Sequence, residues 1–293
     1  QGYSSAASDV YKRQILYNAF KRKSITHIKV CDFMKKCAVI NDISGFGKCS
    51  LAVQIPILSS LGIEVHPAPT AVLSNQTAYG SYCSHDMSDF LEPCFEQWKK
   101  LSARFDAVLT GYFASAREVK TVMQYFADTD ALFVVDPVMG DDGELYNGIT
   151  GSLCKEIKEL ACRADVITPN LTELRQLTGE EDTRKAANIM LESGNKAVVL
   201  TGVQESGMIG STVYTKNEQR TFLSPKRGGY FSGTGDIFAA VLTGKMLAGS
   251  SVFEAARFAG DFISDVIAET NTEDPQNGVD FEKSLVILCE KNN

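Results

Sequence analysis

Histidine, tryptophan and paired cysteine are what this sequence has least of. Its 293 residues hold three histidines and one tryptophan. His27, His66 and His85 are too widely spaced for metal-ligand pairs, so no zinc site is expected. The eight cysteines (Cys31, Cys37, Cys49, Cys83, Cys94, Cys154, Cys162 and Cys289) never form a C-x-x-C pair. That scatter reads as reduced thiols in a cytoplasmic protein, not as a disulfide framework. Lys and Arg form no long basic run, and 29 of them against 36 acids leave a formal net charge of -7. Such a chain has no electrostatic footprint for nucleic acid. Apolar runs stop short of the ~20 residues a membrane span needs. With repeats, low-complexity tracts and linkers also missing, the remaining class is small-molecule chemistry on one folded unit.

What is present supports that class. Hydrophobic residues make up 44% and charged residues 22%, ordinary globular usage with enough apolar material for a core. The amino end, QGYSSAASDVYKRQ, has neither helical nor strand periodicity and lacks the layout of a secretory signal. It resembles translated adaptor sequence, and Met34 of MKKCAVIND reads as a natural start. Residues 1 to 33 are therefore expected to be a non-native or disordered extension, and 34 to 293 one domain. The Asn-x-Thr triplets at Asn75 and Asn170 would matter only in a secreted chain.

From Met34 onward, short branched apolar runs alternate with segments of helical period, the pattern of βαβ units around a parallel sheet. The pattern predicts strands over 37–41, 106–111, 131–136, 165–168 and 196–202. Helices are predicted near 48–61, 87–101, 115–127, 150–163, 183–193, 235–248 and 252–269. STVYTKNEQRTFLS breaks the rhythm and reads as a hairpin turning at 216–219. In open parallel sheets, ligands bind beyond the carboxyl ends of the strands. Each predicted strand runs out there into a stretch of Gly, Asp, Asn, Thr or Pro: NDISGFG after the first, TGYFAS after 109, DPVMGDDG after 135, TPNLTE after 167 and TG after 200. One such stretch is an ordinary turn; five in succession mark a functional rim.

Two glycine motifs are weak. Gly45-Phe46-Gly47-Lys48-Cys49-Ser50 imitates a dinucleotide fingerprint, with Glu64 at ribose distance, but Ser50 replaces the third glycine. A P-loop ending at Gly47-Lys48 would need glycine where Asp42 stands. Lys48 reads as a solvated lysine at a helix start. FSGTGDIFAA carries more information. Gly233, Thr234, Gly235 and Asp236 precede a helix apolar on nearly every side, which reads as buried. Its free N–H groups and dipole would form an anion hole, with the glycines allowing close approach.

Together, G-T-G-D opening a buried helix, D-P-V-M-G-D after a strand and T-P-N-x-x-E after the next resemble the ribokinase superfamily of small-molecule kinases over about residues 36–270. Within it, PTAVLSNQTAYG and LTGYFAS resemble pyridoxal kinases. The resemblance implies an α/β three-layer sandwich, its central, mostly parallel sheet flanked by helices. It implies transfer of the γ-phosphoryl group of ATP to the 5′-hydroxymethyl of pyridoxal, pyridoxine or pyridoxamine. Asp236 would be the base, with Gly233, Thr234 and Gly235 as the anion hole. Asp136, Asp141 and Glu173 would manage Mg2+, directly or through waters. Asn170 and Glu173 would sit near the phosphates, and Thr201 and Gly202 beside the nucleotide. Thr77, Tyr112 and Tyr146 would meet the vitamin, with Asp42 and Ser44 facing the same pocket. The resemblance also implies a homodimer and a monovalent cation such as K+, whose ligands the sequence does not identify.

The D-x-S-G arrangement of Asp42, Ser44 and Gly45 departs from better-known pyridoxal kinases, which carry Ser-His at the Asp42-Ile43 positions. It resembles hydroxymethylpyrimidine kinases of thiamin synthesis, which remain the alternative. A non-catalytic nucleotide or B6-binding protein is the alternative of another class, disfavoured because all the acids are retained. Deleting residues 1 to 33 is expected to leave melting temperature and activity unchanged, and a collapsed melting temperature would show that the extension belongs to the fold.

Overall fold

The computed structural model describes residues 34–272 and 274–290; the reading of residues 1 to 33 as an extension falls outside them. A nine-stranded sheet runs through the protein in the order β11-β10-β9-β8-β5-β4-β1-β2-β3. Its parallel centre consists of β1 (Lys36–Ser44), β2 (Glu64–Leu73), β4 (Ala107–Thr110), β5 (Leu132–Val135), β8 (Val166–Ile167) and β9 (Ala197–Glu205). Antiparallel strands close both edges. On one side lies β3 (Ser84–Asp86), and on the other the hairpin of β10 (Met208–Tyr214) and β11 (Gln219–Pro225). A small separate hairpin pairs β6 (Gly140–Asp141) with β7 (Glu144–Leu145).

Strand alternation sorts the core into two layers. Ala38, Ile40, Val108, Phe133, Val135, Val198 and Leu200 point to one face. That face is covered by α2 (Ser88–Lys100), α3 (Ala116–Tyr125), α4 (Gly151–Ala161), α5 (Leu171–Thr178) and α6 (Thr183–Ser193), through residues such as Phe95, Val122, Ile157, Leu174 and Met190. Cys37, Val39, Leu109, Val134 and Val199 point to the other. There they meet α1 (Ser50–Ser60), α7 (Thr234–Leu247), α8 (Val252–Glu269) and α9 (Leu285–Glu290). The three-layer expectation is met. Ile237 to Gly244 of α7 are all buried, as its all-round apolar sequence requires.

Several details differ from the sequence reading. Strand β2, EVHPAPTAVL, was hidden by Pro67 and Pro69. The Glu64 amide bonds to Lys35 on the β1 side, so in the same phase the nitrogens of residues 67 and 69 face away from β1, where no ladder bond is lost. Helix α5 follows the rim stretch TPN directly and is only eight residues long, too short for periodicity to reveal. Strand β9 runs past the predicted 202 to Glu205, so Thr201 and Gly202 lie well inside it. Thr201 pairs with Ser211 and Val203 with Gly210, leaving Gly202 unpaired at φ 70°, a glycine bulge. The Thr215 amide bonds to the Glu218 carbonyl, so the β10–β11 turn spans 215–218.

Among the described residues no helix is long and apolar enough to cross a membrane. The described cysteines are all free. Ile57, fully buried where α1 packs against α7 and the sheet, tests the second layer. Ile57→Ala is expected to lower the unfolding free energy by about 2–5 kcal/mol, read as a lower urea midpoint at unchanged slope.

Candidate active site

The rim residues converge where the parallel strands end. At the end of β1, Asn41 is buried at 1% exposure. Its Nδ2 donates to Asp236 Oδ1 (3.0 Å) and Gln54 Oε1 (3.1 Å). Its Oδ1 accepts the amides of Asp42 (2.9 Å) and Tyr112 (2.8 Å). Gln54 Nε2 also reaches Asp236 Oδ1, at 3.4 Å, and the Ser50 amide donates to the same carboxylate. Asp236, in the first turn of α7, is thus held by donors from β1 and α1. Burial pushes its carboxyl up to about 6, reinforced by the charge of Asp42 and opposed by the Ser50 and Asn41 hydrogen bonds.

Gly233 turns the chain into α7 at φ 79°, and a Cβ there would lie 1.9 Å from the Lys48 carbonyl oxygen. Only glycine supplies both the left-handed backbone and that close approach. A Cβ on Gly235, by contrast, would meet nothing within 4 Å, so open space adjoins the helix start, whose first-turn amides have no partner within the helix. The Thr234 hydroxyl bonds to the Phe231 carbonyl at 3.2 Å.

Behind Asp236 stands a second acidic group. Asp136, just past β5, is 7% exposed and accepts the Thr168 hydroxyl at 3.1 Å. Burial first, and then the charge of Asp236, hold its carboxyl well above the usual range. Glu173 is buried too. Its Oε1 accepts the Met139 amide (3.1 Å) and its Oε2 the Asn170 amide (2.9 Å), while Asn170 Oδ1 caps α5 at the Glu173 amide (2.9 Å). This capping box ties the DPVMGD loop to α5, and Asn170 Nδ2 adds a bond to the Gly140 carbonyl (2.8 Å). Both Glu173 oxygens thus have backbone partners, and burial with the nearby Asp136 charge raises its pKa. Burial likewise raises Asp141, whose Oδ1 accepts the Asp142 amide.

Asp42, Asp136, Asp141, Glu173 and Asp236 take part in no ion pair among the described residues. No three His, Cys, Asp or Glu of the described residues gather closely enough to hold a metal by themselves. Uncompensated carboxylates of this kind suit Mg2+, which binds through one or two carboxylates, waters and substrate phosphates.

At the expected ring pocket, Asp42 and Ser44 are hydrogen-bonded to each other. Asp42 is 5% exposed, and its oxygens accept the Ser50 (2.5 Å) and Ser44 (3.2 Å) hydroxyls. A buried carboxylate requires such donors, and through them Asp42 clasps its own loop. That clasp holds Ser50 at φ 52°, where its amide meets Asp236. Lys48 is not a solvated residue. Its Nζ contacts Asp280 (2.7 Å) and Glu282 (3.0 Å), anchoring the carboxyl-terminal segment.

Tyr112 lies beside the centre, its amide on Asn41 and its hydroxyl pushed up to about 12 by burial and the Asp42 charge. Thr77 is exposed in a short 3-10 turn, Thr77–Tyr79. Buried Gln76 holds that turn in place. Its amide donates to the Phe46 carbonyl, and its Nε2 to Ser232 Oγ and the Gln276 carbonyl. Tyr146, on the loop after β7, hydrogen-bonds the hydroxyl of Tyr230. Thr201 bonds Pro169 through its amide (2.9 Å) and hydroxyl (3.3 Å), and Gly202 is exposed beside it.

Sequence reasoning passed over Asn41, Gln54, Gln76, Ser50 and Tyr230. Gln54 left a signal, as the one amide in the apolar helix SLAVQIPIL. Asn41 left one too, sharing the strand phase of Cys37 and Val39.

Known proteins of this architecture were found by sequence and by structure. The family model described as phosphomethylpyrimidine kinase matches residues 58–279. A pyridoxal kinase of Dictyostelium discoideum is 32% identical over 213 residues, which cover 64% of this chain and 70% of that protein. The crystal structure of pyridoxal kinase from Lactobacillus plantarum superposes with a TM-score of 0.85 at 29% identity, covering 89% of this chain and 98% of that one. A Bacteroides thetaiotaomicron protein, provisionally described as a phosphomethylpyrimidine kinase and crystallised with pyridoxal, gives 0.83 at 37% identity, over 87% and 96%. Pyridoxal kinase of Leishmania donovani in complex with ADP and pyridoxamine gives 0.79 at 25% identity, over 87% and 95%.

The two glycines should separate by their geometry. Gly233→Ala is expected to destabilise the fold by about 1–3 kcal/mol or more from backbone strain, whereas Gly235→Ala, in a helix with open space around it, should hold or raise stability. Paired thermal melts check this; equal losses would show that the turn at Gly233 is not the constraint.

Proposed function

The chain belongs to the pyridoxal kinase family, ribokinase-like enzymes within the phosphomethylpyrimidine kinase model, and on that premise we propose that it phosphorylates the 5′-hydroxymethyl group of a B6 vitamer from ATP. The observation that carries this reading is the half-buried carboxylate of Asp236 at the start of α7. It lies in one turn with the free helix amides and the Gly233-Thr234-Gly235 anion hole. Asp236 takes the proton of the substrate hydroxyl as its oxygen attacks the γ-phosphorus and the bond to ADP breaks. The amides and helix dipole stabilise charge on the transferring group. Phosphoryl transfer leaves the protein mostly positioning and charge stabilisation.

Asp136 and Asp141 would hold Mg2+ through oxygen ligands or waters, and Glu173 would act by fixing the Met139–Gly140 backbone. Bound Mg2+ neutralises phosphate charge. A monovalent cation such as K+ belongs to the same reading by family likeness. Asn170 would lie by the phosphates, and Thr201 with Gly202 by the nucleotide, where the bulge opens the edge of β9. The ADP bound by the Leishmania relative supports ATP as donor. Thr77, Tyr112 and Tyr146 would meet the vitamin, the Tyr146–Tyr230 pair crossing above it. The free thiols support a cytoplasmic location. A homodimer and a catalytic unit beginning at Met34 complete the proposal.

Pyridoxal in the Bacteroides relative supports the B6 reading over the pyrimidine one. So does Asp42, whose engagement with Ser44 and Ser50 removes the reason to expect it at a protonated ring nitrogen. A steady-state assay with Mg-ATP and pyridoxal, pyridoxine, pyridoxamine and hydroxymethylpyrimidine side by side should show a B6 vitamer preferred. Preference for the pyrimidine would move the enzyme to thiamin synthesis. Asp236→Asn should keep the fold and ATP binding while lowering kcat by about 10² to 10⁴. Because the base works ionised and sits near 6, wild-type kcat/KM should fall as pH drops below about 6 and level off above it. Near-normal turnover in Asp236→Asn would defeat the assignment.

A further inference from the structure

Every polar atom of the Asn41 side chain is committed. Two backbone amides, of Asp42 and Tyr112, point at Oδ1 (2.9 and 2.8 Å), and a carbonyl oxygen is the only end of the amide that can accept them. Nδ2 must therefore face the other way, toward Asp236 Oδ1 and Gln54 Oε1 (3.0 and 3.1 Å). That orientation in turn fixes Gln54, whose Nε2 is left to point at Asp236 (3.4 Å). The site makes room for this residue: a Cβ on Gly111 would lie 2.4 Å from Asn41 Nδ2, so the glycine before Tyr112 is a packing requirement of the amide.

We infer that Asn41 is the positioning residue for phosphoryl transfer, holding the Asp236 carboxylate at a fixed place relative to the Tyr112 side of the substrate pocket. It acts through Asp236 and needs no contact with substrate. The inference rests on Asp236 being the base. It gives the two successive residues Asn41 and Asp42 a joint task, because Asp42 fixes Ser50, whose amide reaches the same carboxylate.

The sharp variant is Asn41→Asp, which keeps the shape and the acceptor for both backbone amides but replaces the donor facing Asp236 with an oxygen. It is expected to lower kcat about 10- to 100-fold, the cost of a misplaced reacting group. KM for vitamer and Mg-ATP should stay within about threefold, as when only transition-state interactions are lost. In an Asp236→Asn background the same change should cost nothing further, because the residue it acts through is already gone. Equal loss in both backgrounds, or unchanged kcat in the single variant, overturns the inference. Gly111→Ala, which alters no hydrogen-bonding group yet presses on Asn41, should reproduce the kcat loss and serves if Asn41→Asp does not fold.

Melting temperatures of the same four proteins provide a readout without substrate. The double variant restores a donor opposite a carboxylate and should melt higher than Asn41→Asp alone. If the wild type ignores B6 vitamers while the melting temperatures couple, the substrate reading fails and the positioning role stands. If the wild type is active and both kcat and melting temperature are additive, the positioning role alone fails.

Discussion

A half-buried carboxylate, set among other carboxylates with no ion pair among the described residues to offset it, is the constraint on which the rest of the site depends. Asp236 is raised by burial and by Asp42, while Asp136 is raised by burial and by Asp236. Neutral donors provide the local compensation: an asparagine, a glutamine and a backbone amide on Asp236, and a threonine hydroxyl on Asp136. Neutral donors have a consequence that a lysine would not. They bring no positive charge to the cleft, so among the described residues the acids are offset only by hydrogen bonds. Ionising both Asp136 and Asp236 is disfavoured by burial and by their mutual charge.

That arrangement demands a rigid frame, and close approach supplies it. The loop 45–48 meets the rest of the site at backbone distance: Gly233 against the Lys48 carbonyl, Gly47 against Gln76, and Gly278 against Lys48. Gln76 bridges to Ser232 and the 275–277 turn, and Tyr79 bonds Asp274 at 2.7 Å. Lys48 adds its pairing with Asp280 and Glu282. Strand ends, the start of α7 and the carboxyl-terminal segment thus form one connected wall. The exposed ion pairs in it contribute little energy individually; their role is to keep the wall in register.

The fold was legible in the sequence where a single local signal decided it. Short branched apolar runs between helical segments placed the inner strands, and an apolar helix behind G-T-G-D announced α7. Legibility failed where a tertiary neighbour decides. Pro67 and Pro69 are compatible with β2 because of which side their nitrogens face, a fact set by the pairing with β1. Gly202 reads as a turn but is a bulge, because β10 returns beside it. At the site, the acids and glycines were visible as types, since few other chemistries need them in that order. Their partners were not. Asp42 and Ser50 are eight residues apart and Asn41 and Asp236 nearly two hundred, and nothing local selects an asparagine over any other buried polar residue.

Strand phase explains why two adjacent residues ended in such different environments. Asn41 continues the phase of Cys37 and Val39, which face α1 and α7, so an amide at that position is aimed at the helix start where Asp236 sits. Asp42 has the opposite phase, at the point where the β1–β2 register slips between Asn41 and Ile43. The slip turns the strand end so that Asp42 meets the hydroxyls of Ser44 and Ser50. An acid in that place therefore does its work on the backbone at the start of α1. The D-x-S-G signature that suggested a different ring shapes the loop in this chain, through the Ser44 and Ser50 hydroxyls on Asp42.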